Sequence, residues 1–130
     1  MTVLLDSRKE GNQRLLKLVD QGILAKNRII AVGEITGAKS ADVEDLFEPA
    51  EYIDLYNRAF RSSLTEADLI GTDPIVARIA RHLKQDRFDH GRPADVLMRQ
   101  RDVFLPSLST NTLNRFEALF KRINSTLGLK

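Results

Sequence analysis

Residues 3–11 read VLLDSRKEG: a short apolar run that stops at an acid and turns through polar residues to a glycine. An apolar run bounded in this way predicts a β-strand over residues 2–5. From residue 12 to about residue 21, Leu15, Leu16, Leu18 and Val19 recur at helical spacing, and Gly22 supplies a stop. RIIAV, residues 28–32, is a second predicted strand. Strand, helix and strand in such close succession make a βαβ unit, with parallel strands and a right-handed crossover.

Beyond the second strand the pattern turns helical. Residues 33–40 read as a loop with Gly37 and Lys39 at its centre, and residues 42–47 as a helical turn. An amphipathic helix is expected over residues 49–60, burying Tyr52, Ile53, Leu55, Tyr56 and Phe60. Asp73-Pro74 reads as a helix start, Asp as N-cap and Pro as first helical residue, with Ile75, Val76, Ile79, Ala80 and Leu83 inward. A further helix is expected from Pro93 through Val96, Leu97 and Met98 towards Val103. The last follows a cap at Ser109 or Thr110, with Leu113, Phe116, Phe120, Ile123 and Leu127 on one face. Residues 61–72 and 104–110 read as linkers.

The expected fold class is therefore α/β: a short parallel βαβ unit followed by a mostly helical carboxyl-terminal half. Residues 1–47 form the βαβ segment with an acidic loop, and residues 48–130 a helical extension, the two folding as one compact unit. The 130 residues, 42% hydrophobic and 29% charged, suffice for one domain with a real core. Two parallel strands make a poor sheet, because parallel strands are normally buried within larger ones. Another copy of the chain, another protein, or a segment before Met1 is expected to complete it, and the abrupt start favours the last.

The chain has no cysteine, which excludes disulfides, thiolate metal sites and a cysteine nucleophile. It shows neither a signal-peptide pattern nor an apolar run long enough to cross a bilayer, so a cytoplasmic protein without membrane contact is expected. The net charge of +2 hides a separation of sign. Residues 34–68 hold nine acids against three bases, a local charge of −6, and residues 78–101 hold seven bases against three acids, a local charge of +4. Such blocks either solvate faces, pair with each other, or set a cation site beside a phosphate-binding surface.

Taken in order, VLLDSRKEG, the helix after it, RIIAVGEI, DVEDLFEPAEYIDLYNRAF, DRFDHGRPADVLM and TLNRFEALFKRIN resemble the carboxyl-terminal part of the Toprim nuclease region of OLD-family ATP-dependent endonucleases. The resemblance covers nearly the whole chain, and its most specific part is the order of LLDS-x-KEG and VEDLF-x-P-x-x-Y. It implies a Toprim-like fold entered partway through, and Mg²⁺ or Mn²⁺ held by strand-end carboxylates in an intact relative. Hard divalent cations need several such oxygens, for activating water and stabilising a leaving oxygen. By resemblance Asp6 matches the first acid of an Asp-x-Asp pair, and Glu44, with Asp42 or Asp45, a further acid. Arg8 stands where the second acid is expected, and a guanidinium cannot ligate a cation. The early acidic strand of the family is also absent, so no metal is expected in this chain, and no nuclease activity from it alone.

Arg78, Arg81 and Lys84 fall three apart on one helix, with Arg87 and Arg92 in the polar turn beyond it. With these five residues a protein would grip the phosphate backbone of DNA without reading sequence; helix solvation explains them equally. Backbone N–H groups over residues 7–11, with Arg8 and Lys9, offer a phosphate cradle at a helix start. Neither a Walker A sequence nor G-x-G-x-x-G occurs, so nucleotide binding is not expected. The two histidines, His82 and His90, lack metal-ligand spacing. The alternative to an inactive nuclease module is a non-catalytic one that binds nucleic-acid backbone or a protein partner.

Overall fold

The computed structural model describes residues 2–7, 13–23 and 25–128. β1 (Val3–Leu5) and β2 (Ile29–Ala31) pair in parallel, with Val3 opposite Ile29, Leu4 opposite Ile30 and Leu5 opposite Ala31. The Val32 N–H carries the ladder one residue further, donating to the Leu5 carbonyl at 3.0 Å. α1 (Gln13–Asp20) lies on the connection between the strands, and is the first of seven α-helices among the described residues. The fold class is α/β with a helical carboxyl-terminal half, as the residue patterns require. Among the described residues no helix is long and apolar enough to cross a membrane.

The chain divides into two compact units, Phe47–Leu113 and the residues on either side of it. In the latter, residues 33–40 depart from the expected loop: Gly33–Thr36 closes one helical turn, α2. Gly37 ends it in the left-handed region (φ 79°), its N–H donating to the Gly33 carbonyl, a stop that glycine adopts without steric cost. A 3₁₀ turn, Val43–Leu46, follows. The core consists of Ile30, Val32, Ala41, Leu46 and Leu119, with Ile35, Phe116 and Ile123 packed against it.

The last two come from the long carboxyl-terminal helix, Thr110–Thr126, whose apolar face differs from the expected one. Leu113, Phe120 and Leu127 are about half exposed, while Leu119 is buried. Residues seven apart nearly superpose around a helix, whereas a step of three falls about 60° short of a full turn. The apolar residues thus form two neighbouring stripes, and Phe116, Leu119 and Ile123 make up the covered one. Two arginines tie this helix to the Val43–Leu46 turn and to the residues flanking β2. Arg115 Nε donates to the Leu46 carbonyl at 2.7 Å, and Arg122 reaches both the Asn27 carbonyl and Glu34, each at 3.2 Å.

In the Phe47–Leu113 unit, α3 (Pro49–Phe60) buries Tyr52, Ile53, Leu55 and Tyr56, with Phe60 only half-buried. α4 (Ile75–His82) buries Ile75, Val76, Ile79 and Ala80. Its first helical residue is Ile75, one later than the Asp-Pro pattern predicts. The Pro74 carbonyl accepts the first intrahelical bond, from Arg78 N–H at 3.1 Å, so Pro74 is itself the N-cap and Asp73 is released for another partner. The helix expected from Pro93 to Val103 is two, α5 (Gly91–Arg99) and α6 (Arg101–Phe104), separated at Gln100. A last helix, α7 (Thr110–Thr126), begins in this unit.

One carboxylate serves two helix starts here. Glu51 Oε1 accepts the Glu48 N–H at 2.8 Å in a capping box at the head of α3. The same carboxylate accepts the Thr112 hydroxyl and, through Oε2, the Ser109 N–H at 2.7 Å. Ser109 Oγ accepts the Thr112 N–H at 3.1 Å, so Ser109 rather than Thr110 caps α7. Glu51→Ala would remove a cap from each helix and the carboxylate acceptor of the buried Thr112 hydroxyl, which keeps the Glu48 N–H and Ser109 hydroxyl as partners. We expect it to cost about 2–4 kcal/mol in urea unfolding, from a lost cap plus a charge-assisted hydrogen bond.

Candidate functional site

Asp6 and Ser7 follow β1, and Val32 and Gly33 follow β2, so all four stand at the carboxyl end of a parallel pair, where α/β folds gather their ligands. Ser7 joins three segments there. It exchanges backbone hydrogen bonds with Ala41, N–H to carbonyl at 2.6 Å one way and 3.0 Å the other, in a one-residue antiparallel bridge. Its hydroxyl accepts the Gly33 N–H at 2.7 Å. A Cβ on Gly33 would lie 2.4 Å from the Ala38 carbonyl oxygen and 2.8 Å from Ser7 Oγ, so only glycine fits.

The Ser7–Ala41 bridge brings the acidic segment to the strand end. Asp6 Oδ1 accepts the Val43 N–H at 2.9 Å, which places the carboxylate at the start of the Val43–Leu46 turn. Asp45 turns back, its Oδ2 accepting the Asp42 N–H at 2.7 Å. Asp42 is buried, and Glu44 half-buried on the same turn. The two acids proposed as ligands, Asp6 and Glu44, are thus brought to one region, but as parts of a capped turn. Among the described residues no three His, Asp or Glu side chains group so as to hold a metal ion. Arg8 and the rest of the suggested phosphate cradle, residues 8–11, lie outside the described residues.

The basic candidates separate. Arg81 directs its guanidinium to Asp73, in two bonds of 2.9 Å, and to the Ile70 carbonyl at 2.7 Å. Arg78 Nε donates to the Asp73 carbonyl at 2.8 Å. Both therefore lock the turn ahead of α4. Lys84 is exposed beyond the end of α4, in the left-handed region (φ 56°), and Arg87 is exposed in the following segment. Arg92, on α5, donates to the Ala59 carbonyl at 2.9 Å and stacks 4.3 Å above the Phe60 ring. His82 is exposed at the end of α4, and His90 stacks on Phe88 at 4.8 Å.

Arg92 belongs to a different group, one that sequence reading missed. An open groove of about 560 Å³ runs along α3 and α5, lined by Arg58, Arg61, Arg92 and Arg99 with Asp89 and Asp95. Arg92 and Arg99, seven apart, share a face of α5, while Arg58 and Arg61 end α3; that spacing was the available signal. Arg58 bonds Asp54 at 3.0 Å and Gln100 at 2.7 Å, and Arg99 pairs with Asp95 at 3.0 Å. Burial pushes the neighbouring Tyr56 phenol up, and the Arg92 charge pulls it partly back.

Compared with protein families, curated proteins and solved structures, the chain matches none.

Two outcomes follow. Gly33→Ala is expected to destabilise the fold by about 2–3 kcal/mol in chemical denaturation, as overpacking does. Adding Ser7→Ala to it should not restore stability, because the Ala38 carbonyl still obstructs the new methyl. Arg81 holds the Asp73 carboxyl below its ordinary value of 3.8. A depressed folded value means that this latch is at full strength above pH 3.8 and is lost as the pH falls through the lower folded value. In a carboxyl ¹³C titration, Asp73 should show a midpoint below 3.8, and Arg81→Gln should return it towards that figure.

Proposed function

We propose that the chain is a degenerate Toprim-type module, related to the metal-dependent DNA endonucleases of the OLD family, that associates with nucleic-acid backbone without cutting it. The observation that carries this reading is the use made of Asp6. Where the resemblance expects the first metal ligand, the carboxylate accepts the Val43 N–H at 2.9 Å and caps a turn. Two residues on, Arg8 replaces the second acid with a cation. The order of the quoted motifs, the parallel strand pair, and the acids gathered at its carboxyl end support the ancestry. The turned-back Asp45 and the arginine at position 8 support the loss of chemistry.

In this reading Asp6 is a structural residue. Asp6→Ala is expected to lower stability by about 1 kcal/mol, as loss of a turn cap does. The purified chain should leave supercoiled DNA intact with Mg²⁺ or Mn²⁺, with or without the substitution. Nicking by the wild type that disappears in Asp6→Ala would overturn the proposal.

A further inference from the structure

The groove along α3 and α5 joins four guanidinium groups from two helices in one concavity, and nothing in the motif pattern assigns it a role. Its lining holds four arginines against two aspartates, a surplus of two positive charges. Neither aspartate is idle: Asp89 Oδ1 accepts the Gly91 N–H at 2.9 Å, and Asp95 pairs with Arg99 at 3.0 Å on the exposed face of α5. Exposed pairs of this kind are weak and exchange readily for a stronger anion. Arg92 is held in place differently, by the Phe60 ring beneath it and the Ala59 carbonyl beside it. Those partners leave its charge unneutralised, because neither is an anion. Arg61 is exposed just after α3 in the left-handed region (φ 52°) and makes no ion pair among the described residues.

The groove is open to solvent along its length, about 560 Å³ in volume, and so has room for more than one phosphate. Arginine forks match phosphate oxygens in pairs, which a cluster of lysines does not. Under the groove Tyr56, Phe60 and Phe88 pack against one another with ring centroids 4.7 to 6.0 Å apart, Phe88 edge-on to the other two, and this cluster supports Arg92 from below. A cationic groove that follows the phosphate backbone is one way in which proteins hold a single strand without reading sequence.

We infer that the Arg58–Arg61–Arg92–Arg99 groove is a phosphodiester-binding site for a single nucleic-acid strand. The inference rests on the nucleic-acid half of the function proposed above and moves the binding surface from the α4 arginines to α3 and α5. Arg78 and Arg81 hold their own turn. Arg61 and Arg99 stand over the groove and are the residues a phosphate would engage by displacing only one weak partner.

The test is fluorescence anisotropy of a labelled single-stranded oligonucleotide, titrated with the full chain across a range of salt concentrations. Three proteins are compared: wild type, Arg61→Gln with Arg99→Gln, and Lys84→Gln with Arg87→Gln, each pair removing two exposed charges. The groove pair should weaken binding on the order of tenfold and lower the salt slope by about 1.4, roughly 0.7 for each phosphate no longer neutralised on a single strand. Lys replacing both groove arginines should restore much of the affinity, and thermal unfolding should match the wild type. Equal losses from the two Gln pairs, or a loss from the Lys84 and Arg87 pair alone, would overturn the groove while leaving nucleic-acid association standing. No binding by the wild type would remove both.

Discussion

Ser7 receives the Gly33 N–H on its hydroxyl and exchanges two backbone hydrogen bonds with Ala41, so three segments of chain meet at one small, buried residue. The strand end depends on this meeting. It places the segment that follows Ala41 beside β1, and so sets Asp6 at the head of the Val43–Leu46 turn. It also accompanies the burial of Leu46 in the core, whose carbonyl Arg115 then takes up. A buried N–H left without a partner costs about 1–3 kcal/mol. The convergence therefore tolerates neither a larger residue at Gly33 nor an apolar one at Ser7 without loss.

The separated charge of the chain is mostly taken up in building the fold. Acids stand at the beginnings of helical turns and accept backbone N–H groups: Asp6 and Asp45 at the Val43–Leu46 turn, Glu51 at α3 and α7, and Asp68 at the Glu66–Asp68 turn. Donors there have no partner within the helix, and the helix dipole favours negative charge at that end. Arginines do the complementary work on carbonyl groups. Arg78, Arg81, Arg92, Arg115 and Arg122 each donate to one, at Asp73, Ile70, Ala59, Leu46 and Asn27. These carboxylates and guanidinium groups are thereby tied to backbone groups of the fold. Arg58, Arg61, Arg92 and Arg99 line the groove along α3 and α5, two charges in excess of its aspartates.

The patterns that proved legible are those written within a few residues. Two short apolar runs gave β1 and β2, the period of α3 named four of its buried side chains, and Ser109 was one of two caps considered for α7. Where a local pattern had two physical solutions, it misled. Asp73-Pro74 has the chemistry of a helix start, yet Arg81, eight residues on, claims the aspartate and Pro74 caps instead. Likewise α7 carries two apolar stripes, and nothing in its own residues says which one is covered.

The amino-acid sequence by itself determined the α/β class, the parallel strand pair, the acids near the strand end, and the presence of a cation at position 8. Periodicity, caps and turn residues act over three or four positions, so they are readable one segment at a time. Only tertiary structure decided that Asp6 caps a turn 37 residues away, that Glu51 on α3 reaches Ser109 58 residues on, and that Arg58, Arg61, Arg92 and Arg99 line one groove. Each of these joins groups distant in the chain, and a hydrogen bond or a shared concavity exists only once packing has brought both sides together.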